Sequence, residues 1–142
     1  MSNLTLQFDE VEYIADVGDT IDVDIEILDA VNLFGSAFEI TFDDSLLSYV
    51  EDSFSEGDFW NGDVTPYSQI DGDTLSSAVT LNQTGGISGI TGNGVLCKFK
   101  LLSITSGESN LNFQNVSLID ENGEPIENFS KIWIRASSIK VQ

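Results

Sequence analysis

Closely spaced pairs of acidic residues are the first groups in this sequence that could perform chemistry. Two carboxyl groups flanking a glycosidic bond can act as the acid and the nucleophile of a glycoside hydrolase. The pairs fall in predicted turns and strand ends, where aspartate forms local hydrogen bonds, and none lies in apolar surroundings that would raise one pKa. We therefore predict that the chain is not an enzyme. The pairs are Asp43-Asp44, Glu51-Asp52, Glu56 with Asp58, and Asp71 with Asp73.

Histidine and cysteine usage leads to the same prediction. The 142 residues include no histidine, which removes the commonest general base and the commonest metal ligand. Cys97 is the single cysteine, so no internal disulfide can form. Its apolar neighbours, in GVLCKFKLL, predict a buried strand residue and not a nucleophile.

The acidic segment from Asp120 to Glu124 has a superficial similarity to a calcium-binding loop. An EF-hand loop needs oxygen ligands at alternate positions, a closing glutamate and flanking helices. The spacing here is wrong and no helix is predicted on either side, so a plain β-turn is the better interpretation. We predict no metal and no cofactor on this chain, although the sequence leaves open a weak structural calcium ion at an acidic loop.

The charge balance restricts the partners. There are 24 acidic residues against 5 basic ones, for a net charge of −19. Nucleic acids and anionic membranes both require a basic surface, so neither is an expected partner. No apolar run is long enough to span a membrane, so we expect no membrane insertion. Solubility outside the cell and steering of a basic or calcium-loaded partner are both open interpretations.

Alternating hydrophobicity predicts an all-β fold without helices, as a sandwich or a barrel. Asp71-Gly72 predicts the turn of a hairpin, and residues 85 to 94 predict a glycine-rich connection. Lys98 and Lys100 should pair with the outward acids Asp22, Asp24 and Glu26 if their strands are neighbours. The nine predicted strands cover about residues 4–8, 21–27, 33–42, 46–50, 65–70, 74–82, 95–101, 110–119 and 132–141.

Two of these strands have unusual outward faces. Phe34, Phe38, Ile40 and Phe42 are predicted to face the core, which leaves small residues on the other side of residues 33 to 42. Residues 74 to 82 repeat this pattern, with Leu75, Val79 and Leu81 inward. The interpretations are an ordinary sheet surface or a plateau for protein recognition. The outward residues are Leu33, Gly35, Ala37, Glu39 and Thr41 on the first strand and Thr74, Ser76, Ala78 and Thr80 on the second.

Exposed aromatic rings support an alternative function, a carbohydrate-binding module. Such modules present coplanar rings, and the candidates are Phe59, Trp60, Tyr67 and Trp133. Phe59 and Trp60 are expected to cap the end of the sandwich. Trp133 alternates with Ile132 and Ile134, so it projects from one face of its strand and the two isoleucines project from the other. One of these faces should be exposed and the other buried. Few rings are therefore left for a platform.

Nearly the whole chain resembles the cohesin family, whose members are receptor modules that capture dockerins. The resemblance lies in the order and spacing of five segments. The resemblance implies one module, residues 1–142, folded as a nine-stranded jelly-roll β-sandwich with sheets 8-3-6-5 and 4-7-2-1-9. It implies a non-catalytic protein that binds a calcium-loaded dockerin on the 8-3-6-5 sheet. The segments are VGDTIDVDIEI (17–27), NLFGSAFEITFDDSLL (32–47), EGDFW (56–60), GNGVLCKFKLL (92–102) and NVSLIDENGEPI (115–126).

The resemblance also implies a set of partner-binding residues and a setting. Cohesins of the best-known class have Asn and Asp where Gly35 and Ala37 stand here, so a more apolar mode of docking is expected. We expect a monomeric module of a larger secreted protein, outside the cell or at its surface; a structural spacer is a third interpretation. The implied binding residues are Leu33, Gly35, Ala37, Glu39, Tyr67, Gln69, Ser76, Ala78, Thr80, Asn82, Asn115, Ser117, Glu124 and Glu127.

Overall fold

The computed structural model describes residues 3–82 and 89–142, and strands account for most of them. One turn of 3-10 helix, Phe129–Lys131, precedes the last two strands. Within the described ranges no helix is long and apolar enough to cross a membrane. The strands are β1 (Thr5–Phe8), β2 (Tyr13–Ala15), β3 (Thr20–Leu33), β4 (Gly35–Thr41), β5 (Leu47–Tyr49), β6 (Ser55–Glu56), β7 (Val64–Asp71), β8 (Thr74–Leu81), β9 (Ile90–Ser103), β10 (Gly107–Ile119), β11 (Trp133–Arg135) and β12 (Ser137–Val141).

The strands form two sheets packed face to face. The first sheet has the order β11-β1-β3-β9-β5, with β6 also paired to β9. The second sheet has the order β2-β12-β10-β4-β8-β7. The predicted 4-7-2-1-9 sheet corresponds to β5-β9-β3-β1-β11, and the predicted 8-3-6-5 sheet corresponds to β10-β4-β8-β7. The expected all-β sandwich is therefore confirmed, with the expected neighbours.

The core lies between the sheets because most of the longer strands turn alternate apolar side chains inward. In β3, Val23, Ile25 and Ile27 are fully buried. Aromatic rings join the two layers: Phe8 of the first sheet stacks on Phe113 of the second, with 4.4 Å between ring centroids. Burial of these side chains provides the main driving force for this fold.

The register of β3 and β9 confirms the predicted charge pairing for Asp22 and Asp24 but not for Glu26, which is paired with Val95. Asp22 is paired with Lys100 and Asp24 with Lys98. Lys100 Nζ lies 3.3 Å from Asp22 Oδ1, and both side chains are exposed. An exposed pair of this kind contributes only a few tenths of a kcal/mol, roughly, so its main effect is to favour this register.

A β-bulge in β9 changes the predicted alternation around Cys97. Ile25 is paired with Cys97 and Glu26 with Val95, so Leu96 is an additional residue in β9. Leu96 and Cys97 are both buried, whereas Val95, which the alternation placed inward, is half-buried. Complete burial raises the pKa of the Cys97 thiol, which keeps it protonated and unreactive.

The predicted number of strands was too low. β2 and β6 were not predicted, and the segment predicted as one strand over 132–141 forms β11 and β12. This last segment is divided because the chain passes from one sheet to the other at Ala136. Of the predicted glycine-rich connection, residues 90–94 belong to β9 instead, and residues 85–88 lie outside the described residues.

The predicted strand over 33–42 is also divided, which corrects the placement of Leu33. This residue is the last of β3 and is fully buried, so it is not on the outer face with Gly35. Between Leu33 and Gly35 the chain leaves the first sheet and enters the second. Alternation therefore restarts, and Phe34 is buried as well.

Candidate partner-binding face

The outer face of β10-β4-β8-β7 is assembled by the register of its strands. Gly35 is paired with Thr80, Ala37 with Ala78 and Glu39 with Ser76. Directly opposed residues project from the same face of a sheet, so these pairs and their neighbours on β7 and β10 form one surface, here named the plateau. The plateau consists of Gly35, Ala37, Glu39, Thr65, Tyr67, Gln69, Ser76, Ala78, Thr80, Gln114, Ser117 and Ile119.

The inward predictions for β8 are confirmed. Leu75, Val79 and Leu81 are buried, with at most 4% of their surface exposed, whereas Ser76 and Ala78 between them are half-buried. The inner residues hold β8 against the core, so the outward side chains need only be small. The predicted hairpin is also confirmed, since Asp71 is paired with Thr74 across a two-residue loop.

The middle of the plateau is a shallow dimple of about 60 Å³. Its wall includes two alanine methyl groups and the side chains of Thr80, Ser117 and Ile119. A Cβ atom on Gly35 would lie 3.2 Å from Ile119 Cγ1 and 3.3 Å from Thr80 Oγ1, so the missing side chain of Gly35 is part of what keeps the dimple open. The plateau can therefore receive a small apolar group at its centre.

Glu39 is the one residue among the twelve plateau residues whose side chain is charged at pH 7. Its Oε1 accepts hydrogen bonds from Gln114 Nε2 at 2.9 Å and from Asn115 Nδ2 at 2.6 Å. Its Oε2 accepts one long hydrogen bond, 3.4 Å, from Ser76 Oγ. Two amides thus hold the carboxylate in place while one of its oxygens retains capacity to accept hydrogen bonds.

A β-bulge brings the second of these amides to Glu39. The register of β10 against β4 shifts between Gln114 and Ser117, and Asn115 has a positive φ of 53°. Asparagine tolerates this left-handed conformation better than most residues do. Gln114 was not predicted in the site, because alternation counted back from Ser117 turns it inward unless a bulge intervenes; the Asn-Val pair in an otherwise alternating strand is a weak signal of that bulge. Ile119 was also left out, although it lies two residues after Ser117 on the same face.

The remaining predicted binding residues lie at the edge of the plateau or outside it. Tyr67 donates a hydrogen bond to Gln69 Oε1 at 2.6 Å, and both side chains are exposed on the edge strand β7. Asn82 accepts a hydrogen bond from Thr65. Glu124 and Glu127 are exposed in the segment after β10, outside the plateau.

The acidic candidates for chemistry form local hydrogen bonds. The Ser45 hydroxyl and amide both donate to Asp43, which lowers the pKa of Asp43, whereas a general acid needs a raised one. Asp120 Oδ1 accepts hydrogen bonds from the amides of Asn122 and Glu124, as expected for the predicted turn. Across residues 3–82 and 89–142, no group of three or more acidic or cysteine side chains could hold a metal ion.

The candidate aromatic residues for carbohydrate binding do not form a platform. Phe59 and Trp60 are buried, and the Trp60 indole donates a hydrogen bond to the Leu96 carbonyl at 2.9 Å. Trp133 and Tyr67 are more than half exposed, but they lie on β11 and β7, which belong to different sheets. The prediction for Trp133 was wrong in one respect: Ile134 is exposed as well, because β11 is an edge strand.

Comparison with known proteins identifies relatives of the same architecture. A family model described as "Cohesin domain" matches residues 4–129. A non-cellulosomal cohesin from the archaeon Archaeoglobus fulgidus is 15% identical with a TM-score of 0.79, covering 99% of this chain and 92% of its own. The sixth cohesin of scaffoldin B from Acetivibrio cellulolyticus, solved in complex with a mutant Cel5 dockerin, is 14% identical with a TM-score of 0.78, covering 99% and 100%.

A third similar structure is a type II cohesin domain from the cellulosome of Acetivibrio cellulolyticus. It is 17% identical with a TM-score of 0.77, covering 98% of this chain and 95% of its own. No curated protein sequence matches the chain. At these identities, the structural similarities establish a shared fold.

Proposed function

Because the chain belongs to the cohesin family, we propose that it is a non-catalytic recognition module that binds a dockerin-type, calcium-loaded helical domain. The plateau is the proposed docking surface. Calcium is expected on the partner, whose loops hold it, and the bound dockerin would anchor its parent protein to a scaffold or a cell surface. A module of a secreted protein, monomeric without its partner, fits this role.

One observation carries the proposal: the plateau is nearly uncharged on a protein whose net charge is −19. Charged residues are depleted from the centres of protein interfaces, because an unpaired charge is costly to remove from water. The outer face of the other sheet has the opposite character, with acids and lysines facing each other across β3 and β9. The plateau is therefore the face that can be covered at the lowest desolvation cost.

The residues proposed to contact the dockerin follow from the plateau. Gly35, Ala37, Ala78, Thr80 and Ser117 form its centre. Glu39, Tyr67, Gln69, Ser76, Asn82 and Asn115 surround that centre, and Glu124 and Glu127 extend the acidic rim beyond β10. Leu33 is excluded because its side chain is buried in the core. The acidic rim would accelerate encounter with a partner that has basic residues beside its calcium loops.

Calorimetric titration with every dockerin encoded in the same genome as this chain tests the proposal. We expect at least one calcium-loaded dockerin to bind, and EDTA to abolish that binding because the dockerin fold requires calcium. The same titrations with an Ala37→Arg variant should show no heat of binding. If no dockerin binds, the proposed function is wrong. If a dockerin binds the Ala37→Arg variant with unchanged affinity, the proposed face is wrong.

A further inference from the structure

The dimple and the Glu39 carboxylate lie next to each other on β4 and together restrict the partner. Gly35, Ala37 and Glu39 are successive outward residues of this strand. Outward neighbours on a strand are about 6.8 Å apart, since each residue advances the chain by about 3.4 Å. The plateau therefore presents an apolar depression and an anionic acceptor at a fixed, short separation.

The size of the dimple limits what can enter it. Its volume is about 60 Å³, whereas an apolar cavity that holds benzene has a volume of about 150 Å³. The branched end of a valine, leucine or isoleucine side chain fits this space and an aromatic ring does not. Alanine methyl groups and Ile119 provide an apolar wall for such a chain.

The hydrogen bonds of Glu39 determine what can face it. Its Oε1 accepts from both Gln114 and Asn115, and these two amides fix the carboxylate without neutralising its charge. Its Oε2 accepts only a 3.4 Å hydrogen bond from Ser76 among the described residues. A carboxylate covered by an apolar partner would be left as an uncompensated charge, whereas a Lys or Arg donor would complete its hydrogen bonding.

We infer that the plateau selects a partner helix with one aliphatic side chain and one Lys or Arg located three or four residues away. This inference rests on the proposed function. The aliphatic side chain enters the dimple and the cation bonds Glu39 Oε2. Helix positions three or four apart have Cβ atoms about 5–6 Å apart on one face, which matches the spacing along β4 when long side chains reach outward. The helix thus runs roughly along β4.

A selection experiment tests this pair of contacts. The probe is a yeast-displayed, calcium-loaded dockerin whose exposed helix positions are randomised, selected against the immobilised chain. We expect enriched clones to have Val, Leu or Ile three or four residues from Lys or Arg. Gly35→Ala, which fills the dimple, should weaken these clones at least tenfold. Glu39→Lys should weaken them similarly, and replacing the clone's cation by Glu should restore binding to Glu39→Lys.

Control variants separate a local effect from a general one. Glu10→Gln removes an acid between β1 and β2, far from β4, and should leave the affinity of every clone unchanged. Circular dichroism should show that Gly35→Ala and Glu39→Lys are folded. Clones that bind the plateau without the aliphatic–basic pair, or that are insensitive to both variants, would overturn the inference and leave the proposed function intact. If no clone is enriched, both are wrong.

Discussion

Ala37 and Ala78 face each other across β4 and β8, and their two methyl groups form the middle of the plateau. Ser117 on β10 and Tyr67 on β7 complete this row of the sheet. The two alanines at the centre of the row end in a methyl group, and none of the four side chains is charged at pH 7. A large or charged side chain at either alanine would therefore stand out of a flat surface.

The first prediction concerns Ala37→Arg. The new side chain has room to extend into solvent from the outer face, so the midpoint of thermal unfolding should stay within the small range typical of surface substitutions. Dockerin binding should be lost, because the guanidinium group blocks the dimple and would have to be desolvated at the centre of the interface. Calorimetry and thermal scans on the same samples measure both effects.

The matched control for that prediction is Ser48→Arg. Ser48 is exposed on β5, in the sheet opposite the plateau, so an arginine there should leave both affinity and stability unchanged. A loss of affinity in this control would indicate a general electrostatic effect of one added cation and not a local block.

The second prediction separates the two tryptophans. Trp60→Ala removes a buried ring and the indole N–H that donates a hydrogen bond to the Leu96 carbonyl. It should lower the free energy of unfolding by about 3–5 kcal/mol. Trp133→Ala removes a ring that is 59% exposed and should change it by less than about 1 kcal/mol. Urea denaturation measures both. Retardation of the protein in a cellulose or xylan gel that depends on Trp133 or Tyr67 would instead support carbohydrate binding.

The third prediction uses two glycines of the loop region between β6 and β7. A Cβ atom on Gly57 would lie 2.0 Å from the Val95 carbonyl oxygen, so Gly57→Ala must displace backbone and should cost roughly 1–3 kcal/mol of stability. At Gly62 the nearest atom to an added Cβ is Leu81 Cδ2 at 3.8 Å. Gly62→Ala should therefore be neutral or slightly stabilising, because it restricts the unfolded chain. Equal effects of the two substitutions in urea denaturation would contradict this assignment.

The fourth prediction is a pH dependence centred on Asp24. Partial burial and then the neighbouring Asp9 raise the pKa of Asp24, with smaller contributions from Asp22 and Glu26, while Lys98 acts in the opposite direction. The native state therefore binds more protons than the unfolded state as the pH rises above the ordinary aspartate value of about 3.8, and stability decreases over that window.

Replacing this carboxyl group isolates its contribution. Asp24→Asn should be more stable than the unmodified protein at pH 7, and the difference should diminish as the pH falls towards the unfolded pKa. Asp63→Asn, in the loop before β7, serves as the control for removing one negative charge. A stability difference for Asp24→Asn that is constant from pH 3 to pH 7 would show that ionisation of Asp24 is not its source.

The strand faces could be predicted from the sequence where alternation is uninterrupted. In β3 and β8 every second residue is apolar, so the facing of Ile25 or Val79 follows from a period of two. The pairing of Asp22 with Lys100 followed from the rarity of cations in the chain. These local regularities were sufficient for the sandwich and for the outward residues of β4 and β8. That β7 and β10 complete the plateau was implied only by the resemblance to cohesins.

What could not be predicted depends on where strands change sheet or take an additional residue. Leu33 was placed outward because the alternation of β4 was extended backwards through a sheet crossing. Leu96 and Asn115 lie at bulges, and a single additional residue reverses the facing of everything beyond it. The environment of Glu39 was missed for this reason, since it depends on the register of β10 and not on any pattern within β4.

The first and last described segments of the chain are paired with each other in both sheets. β1 runs parallel to β11 in one sheet and β2 runs parallel to β12 in the other, and Ser137 Oγ donates a hydrogen bond to the Glu10 carbonyl at 2.7 Å where the two segments cross. Tension applied between residues 3 and 142 would thus pull parallel neighbours in opposite directions along their length. Their hydrogen bonds would be loaded together in shear instead of one after another, so a pulling measurement should record a single high-force rupture.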